Sequence, residues 1–122
     1  VIEFIVEGNP VTQGSMKVIN GRVLHSRGEA LILWRTMVAI AARKAGCFPV
    51  PNPIEMTIDF RLPRPKTVRR NLPYVAPDLD KLIRAVLDSL TGVAYVDDGQ
   101  VVTIKSTKTY GDPGVTITLD TL

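Results

Sequence analysis

Two short stretches carry the residue types that could do chemistry. They are Asp78-Leu79-Asp80-Lys81-Leu82-Ile83-Arg84, directly after Pro77, and Val96-Asp97-Asp98-Gly99-Gln100-Val101. Each has an ordinary structural use. Asp78 suits a helix N-cap, Asp80 in a first turn is favoured by the helix dipole, and Asp97-Asp98-Gly99 is a common turn into a strand. Taken together they imply more. With Leu79 facing inward, Asp78 and Asp80 lie on the exposed side of a helix start, and Arg84 follows Asp80 by one turn. If the strand after Asp98 packs against that helix start, three or four carboxylates meet. Clustered like charges need a cation, and hard oxygen donors without His or Cys favour Mg²⁺ or Mn²⁺ over zinc. Such a metal polarises a phosphoryl oxygen and lowers the pKa of a bound water, which is what phosphodiester hydrolysis requires. Arg84 is placed to stabilise charge developing on the phosphate.

The elements that must position these groups are legible in outline. Ile2 to Val6 reads as a strand ended by Gly8-Asn9-Pro10, and Val11 to Met16 as a loop. Lys17-Val18-Ile19 and Arg22-Val23-Leu24 flank Asn20-Gly21, a hairpin turn pair. Ser26 and Glu29 form a capping-box pattern for a helix running to about Ala45, with Gly46 as its stop. Leu31, Leu33, Trp34, Met37, Val38, Ile40 and Ala41 leave that helix only a thin polar stripe, so it is expected to be covered on most sides, by its own sheet or a second subunit. Ile54 to Leu62 alternates strictly and predicts a half-buried strand. Pro63 to Pro77, with four prolines and several arginines, reads as a flexible substrate-contacting loop. Leu79, Leu82, Ile83, Val86, Leu87 and Leu90 define a second helix with one buried stripe, ending before Gly92. Gln100 to Thr109 and Val115 to Leu122 are two more strands joined by a turn at Tyr110 to Gly114. The order is not strict βαβ alternation, so the expected class is α+β, a small mixed sheet with two main helices.

The 122 residues are expected to form one domain, 1–122, large enough to bury a core without staples. One cysteine, Cys47, allows no internal disulfide and fits a reducing compartment. There is no membrane-length apolar run, and no leader is expected ahead of the first strand, although the sequence begins at Val1 and reads as trimmed. The expected setting is cytoplasmic. The net charge is +3, and its distribution says more than its size. Arg61, Arg64, Lys66, Arg69 and Arg70 precede Pro77 with no acid among them, and acids dominate after Ala85. A positive arm leading into a negative cluster suits a site that attracts phosphate and holds a cation.

The two acidic stretches resemble those of the RusA-type Holliday-junction resolvases, small nucleases of bacteria and their phages. The likeness rests on D-x-D-N/K-L-x-K/R-A-x-x-D-x-L, here Asp78 to Leu90, and on D-D-x-Q-V, here Asp97 to Val101. It implies a RusA-like fold and a Mg²⁺-dependent endodeoxyribonuclease, with Mn²⁺ as a substitute, that resolves four-way junctions by paired nicks in DNA recombination and repair. By this resemblance Asp78, Asp80 and Asp98 are the metal-binding catalytic carboxylates, and Asp97 is a supporting metal-side acid. Arg84 stands where the family often has a catalytic lysine; arginine keeps the charge but stays protonated, so it stabilises a transition state without acting as general acid. Lys81 stands where asparagine is also common. Asp88 reads as a structural i+4 partner of Arg84. The resemblance further implies a homodimer, because a junction with two-fold symmetry needs two matched nicks. A phage or prophage source is suggested by the family alone. Lys17, Arg22, Arg27, Arg64, Lys66, Arg69, Arg70 and Lys81 are then the candidates for contact with branched DNA.

Two other readings compete. One is a DNA-binding or assembly protein that keeps the scaffold and uses its acids only as caps; the other is a nuclease for different branched or flap DNA. No organic cofactor is expected. His25 stands alone without a metal or catalytic constellation, Trp34 reads as core or interface, and the few aromatic residues are too scattered for a single-strand stacking surface.

Overall fold

In a computed structural model the protein has an α+β architecture, a four-stranded mixed sheet with two helices and a separate two-stranded hairpin. The structure describes residues 1–13, 16–19, 22–25 and 28–122, with backbone alone for 16–19 and 22–25. The Asn20-Gly21 turn, the Ser26 cap, Arg27 and the side chains of Lys17, Arg22 and His25 lie outside the described residues.

The elements are β1 (Ile2–Glu7), β2 (Met16–Ile19), β3 (Arg22–His25), α1 (Gly28–Lys44), β4 (Ile54–Leu62), α2 (Leu79–Leu90), β5 (Val101–Tyr110) and β6 (Gly114–Thr121). The sheet order is β1-β6-β4-β5; β6 runs antiparallel to β1 and β4, and β5 runs parallel to β4. β2 and β3 pair with each other in antiparallel register. β4 is the axis of the molecule. Its alternation places Ile54, Met56, Ile58, Phe60 and Leu62 in the core, while Glu55, Thr57, Asp59 and Arg61 lie on the opposite face. Val115, Ile117 and Leu119 of β6 and Phe4 and Val6 of β1 extend the apolar face. The two helices pack against each other, α1 over β1 and α2 over β5.

β5 and β6 are not paired, contrary to the expectation of a terminal pair joined by a turn; β4 lies between them. The chain therefore crosses the end of β4 at 111–113. Gly111 N–H donates to the Leu62 carbonyl and Gly8 N–H to the Pro113 carbonyl. Arg61 staples the crossing, donating from Nε to the Asp112 carbonyl at 3.2 Å and from Nη1 to Thr116 Oγ1 at 2.8 Å. The crossing is tight at Gly114, where a Cβ would stand 2.6 Å from the Val6 carbonyl oxygen and 2.9 Å from Arg61 Nη2. Alternation in β5 and β6 fixes their faces but not their neighbours, which is why a turn between adjacent strands looked sufficient.

α1 buries one stripe, Leu31, Trp34, Val38 and Ala42, and leaves Ile32, Leu33 and Ile40 exposed. Among the described residues of one chain it is covered on one side only. α2 buries Leu82, Ala85, Val86, Ser89 and Leu90, with Leu79, Ile83 and Leu87 at the margins. Its C-terminus is closed by Gly92 at φ +79°, a left-handed position suited to glycine. Three donors converge on the Leu87 carbonyl there: Thr91 N–H, Thr91 Oγ1 and Tyr95 Oη.

Candidate functional site

α2 runs back from the C-terminal ends of the parallel strands β4 and β5 toward their start, and that direction sets the geography of the acids. Asp78 is the N-cap residue of α2 by backbone conformation, yet its side chain makes no capping hydrogen bond. Leu82 N–H donates to the Asp78 main-chain carbonyl. The carboxylate is exposed and faces Lys81 at 3.5 Å, the one ion pair among the described residues. Asp80 and Arg84 are exposed one turn apart on the same helix. The expected Arg84–Asp88 pair does not close to salt-bridge distance. Gln13 N–H donates to the Lys81 carbonyl, which ties the segment after β1 to this first turn.

A residue that no motif marks as part of the site holds the approach to Asp78. Lys108 of β5 is half-buried opposite Phe60, and its Nζ donates to the Val75 carbonyl at 2.7 Å and the Pro77 carbonyl at 2.8 Å. The chain segment between these partners and Lys108 is over thirty residues long, so no local pattern announces the contact.

The loop ahead of Asp78 is anchored at further points on the end of β5. Arg70 Nε donates to Tyr110 Oη at 2.9 Å, and its guanidinium lies 5.7 Å from the Tyr74 ring centre. Arg64 donates to the Val68 carbonyl at 3.1 Å and lies 5.9 Å from the Tyr110 ring centre. Two tyrosines that looked scattered in sequence thus serve as rests for two arginines. Arg64, Lys66 and Arg69 line a shallow cleft of about 370 Å³ with Pro65 and Val68. Three cations on one concave wall suit a polyanion.

The second acidic stretch sits elsewhere. Asp97 caps a single 3₁₀ turn, Asp98–Gln100; its Oδ2 accepts from Gly99 N–H at 2.9 Å. Gln100 completes the box, its Oε1 accepting the N–H groups of Val96 and Asp97. Gln100 Nε2 donates to the Val50 and Asn52 carbonyls and so ties the turn to the segment before β4. The Asp-x-x-Gln spacing is a capping-box signal and could have been read from the sequence. Asp98 is exposed, with no hydrogen bond from its side chain to a described residue. It lies near the end of α2: Tyr95, which donates to the Leu87 carbonyl at 2.7 Å, has its hydroxyl pKa pushed up by burial first and by the Asp98 charge next.

The structure therefore brings Asp78, Asp80, Lys81 and Arg84 together beside the basic loop and sets Asp97 and Asp98 by the far end of α2. Twelve helical residues span about 18 Å, and Asp80 and Leu87 are separated by about 10 Å of helix rise. Among the described residues no three acid, His or Cys side chains are grouped to hold a metal within one chain. The donor chemistry still fits a hard cation: the Asp78 carboxylate is free of the cap it could have made, and Asp98 is likewise unengaged. Also among the described residues, no helix is long and apolar enough to cross a membrane.

A family model described as endodeoxyribonuclease RusA matches residues 7–120, nearly the whole chain. A Bacillus subtilis (strain 168) protein, described as uncharacterized protein YqaN, is 29% identical over 127 aligned residues, covering 91% of this chain and 89% of that protein.

Proposed function

Because the chain belongs to the RusA endodeoxyribonuclease family, we propose that it is a Mg²⁺-dependent, structure-specific endodeoxyribonuclease. It works as a single-domain homodimer and resolves four-way DNA junctions by paired nicks. The observation that carries the reading is the state of Asp78: it occupies a cap position without capping, directly after the basic loop and two residues ahead of Asp80. A protein that kept its acids only as caps would engage that carboxylate, as this chain engages Asp97.

Asp78, Asp80 and Asp98 are the proposed metal ligands, and Asp97 supports the turn that carries Asp98. Bound Mg²⁺ supplies a polarised phosphoryl oxygen and a water of lowered pKa. The chain's own groups do the rest. Arg64, Lys66, Arg69 and Arg70 hold the backbone of the DNA arms, with Lys81 nearer the cut. The Arg84 guanidinium stabilises charge on the phosphate and keeps its proton throughout. The dimer has a physical reason beyond the symmetry of the junction. When two α2 helices run antiparallel across a two-fold axis, the Asp98 of one copy comes beside Asp78 and Asp80 of the other, and the separation within one chain is removed.

A panel of synthetic four-way, three-way, flap and duplex DNAs, each with and without Mg²⁺, tests the reading. The four-way junction is expected to give two symmetric nicks, and EDTA to abolish them. Cleavage confined to flaps would select the alternative nuclease reading, and binding without any cleavage the assembly reading.

A further inference from the structure

We infer that Lys108 is a positioning residue for Asp78, holding the end of the basic loop so that the carboxylate faces the metal and DNA. The inference rests on the nuclease reading and concerns a residue that this reading does not use.

The loop from Pro63 to Pro77 has no regular structure, so no helix or ladder fixes its backbone and partners from elsewhere must hold it. At its last step those partners come from one side chain. Lys108 lies on the helix-covered side of β5, in the row that also carries Ile104 and Tyr110, where an apolar residue is the ordinary choice. An ammonium drawn inward at such a position needs acceptors, and it finds two, the Val75 and Pro77 carbonyls at 2.7 and 2.8 Å. Charge-assisted bonds of this length are the stronger kind.

Pro77 is covalently joined to Asp78, and Asp78 makes no side-chain cap bond that would orient it independently. Its one charged partner among the described residues, Lys81, is a long, partly exposed side chain at 3.5 Å, a pair of little holding power. The direction of the Asp78 carboxylate is therefore set by the backbone before it, and that backbone is fixed to the sheet through Lys108. The same side chain joins the DNA-facing loop to the helix that carries Asp78 and Asp80.

The test uses the purified full chain and three variants, Lys108→Met, Lys108→Gln and Lys108→Arg. Metal affinity is read by Mn²⁺ titration, cleavage by single turnover over a Mg²⁺ series, and junction binding in EDTA. Loss of an outer-shell support costs about 10–100-fold in metal affinity, so Lys108→Met and Lys108→Gln should weaken Mn²⁺ and raise the Mg²⁺ requirement by about that factor. Saturating Mg²⁺ should restore most of the rate, and junction binding in EDTA should be unchanged. Lys108→Arg, which can still donate to two carbonyls, should behave like the wild type. A wild-type metal requirement in both Lys108→Met and Lys108→Gln overturns the inference. So does a matching loss of metal-free junction binding, which would make Lys108 a direct DNA contact, or failure of Lys108→Arg to rescue. If Lys108→Met does not fold, Lys108→Gln and Lys108→Arg decide. If the wild type cuts no branched DNA, the nuclease reading fails by itself, and the Mn²⁺ titration still decides the role of Lys108: weakened binding supports it, and unchanged or absent wild-type binding overturns it.

Discussion

The Asp97 main-chain N–H donates to Gln100 Oε1 at 2.8 Å, while the Asp97 carboxylate accepts from within the same turn. Two adjacent aspartates are thereby given different duties. Asp97→Ala should lower stability by about 0.5–2 kcal/mol, the usual cost of a lost cap, measured by urea denaturation. Asp98→Asn should leave the denaturation midpoint unchanged and abolish cleavage. Asp78→Asn should follow Asp98, because no cap bond is lost at the start of α2 and an exposed ion pair is worth at most about 1 kcal/mol. A large stability loss at Asp78 with normal cleavage would reverse these assignments.

Much of the fold could be read from the sequence wherever one periodicity covered a whole element. β4 alternates buried and half-buried from Ile54 to Leu62, and α2 keeps its apolar stripe from Leu82 to Leu90, both as expected. What could not be read were the relations between distant elements. The insertion of β4 between β5 and β6 depends on Arg61 and Gly114 at a crossing, and the anchoring of the loop depends on Lys108 and Tyr110. Local patterns specify faces and ends, whereas such contacts join residues dozens of positions apart. The acid motif was legible by residue type and spacing. Its two halves lie along α2 rather than at one end of it, because the strand parallel to β4 must begin where the helix finishes.

Tyr95 predicts an alkaline limit. The buried hydroxyl donates to the Leu87 carbonyl and lies in the field of Asp98, so its pKa is raised above the ordinary 10.0. The folded state thus binds this proton more tightly than the unfolded chain. The stabilisation is fully present below pH 10.0 and is lost as pH rises from there through the folded-state pKa. Thermal unfolding followed from pH 8 to pH 11 should show a falling midpoint at the top of that range. Tyr95→Phe should be less stable at neutral pH through loss of the hydrogen bond, and should show a shallower alkaline fall.

The cleft of Arg64, Lys66 and Arg69 makes a separate prediction about DNA grip. Phosphate contacts release counterions, so each lost contact lowers the slope of log affinity against log salt by about 1. Arg64→Ala, Lys66→Ala and Arg69→Ala should weaken junction binding in EDTA, reduce that slope, and leave the Mg²⁺ requirement for cleavage alone. An unchanged slope in all three would remove the cleft from the DNA interface.

The separation of Asp80 from Asp98 can be resolved by mixing two inactive proteins. Suppose each metal site takes Asp80 from one copy and Asp98 from the other. A heterodimer of Asp80→Asn and Asp98→Asn chains then has one site with both substitutions and one site with neither. The intact site should nick a single strand of a four-way junction, although neither parent cuts at all. If both residues of a site come from the same chain, each site in the mixture carries one substitution, and the mixture stays dead. Unfolding and refolding the two variants together ensures exchange, and sedimentation confirms the dimer. Single nicks from the mixture would support the shared site; no nicks from a verified heterodimer, or a wild type that sediments as a monomer while cutting normally, would exclude it.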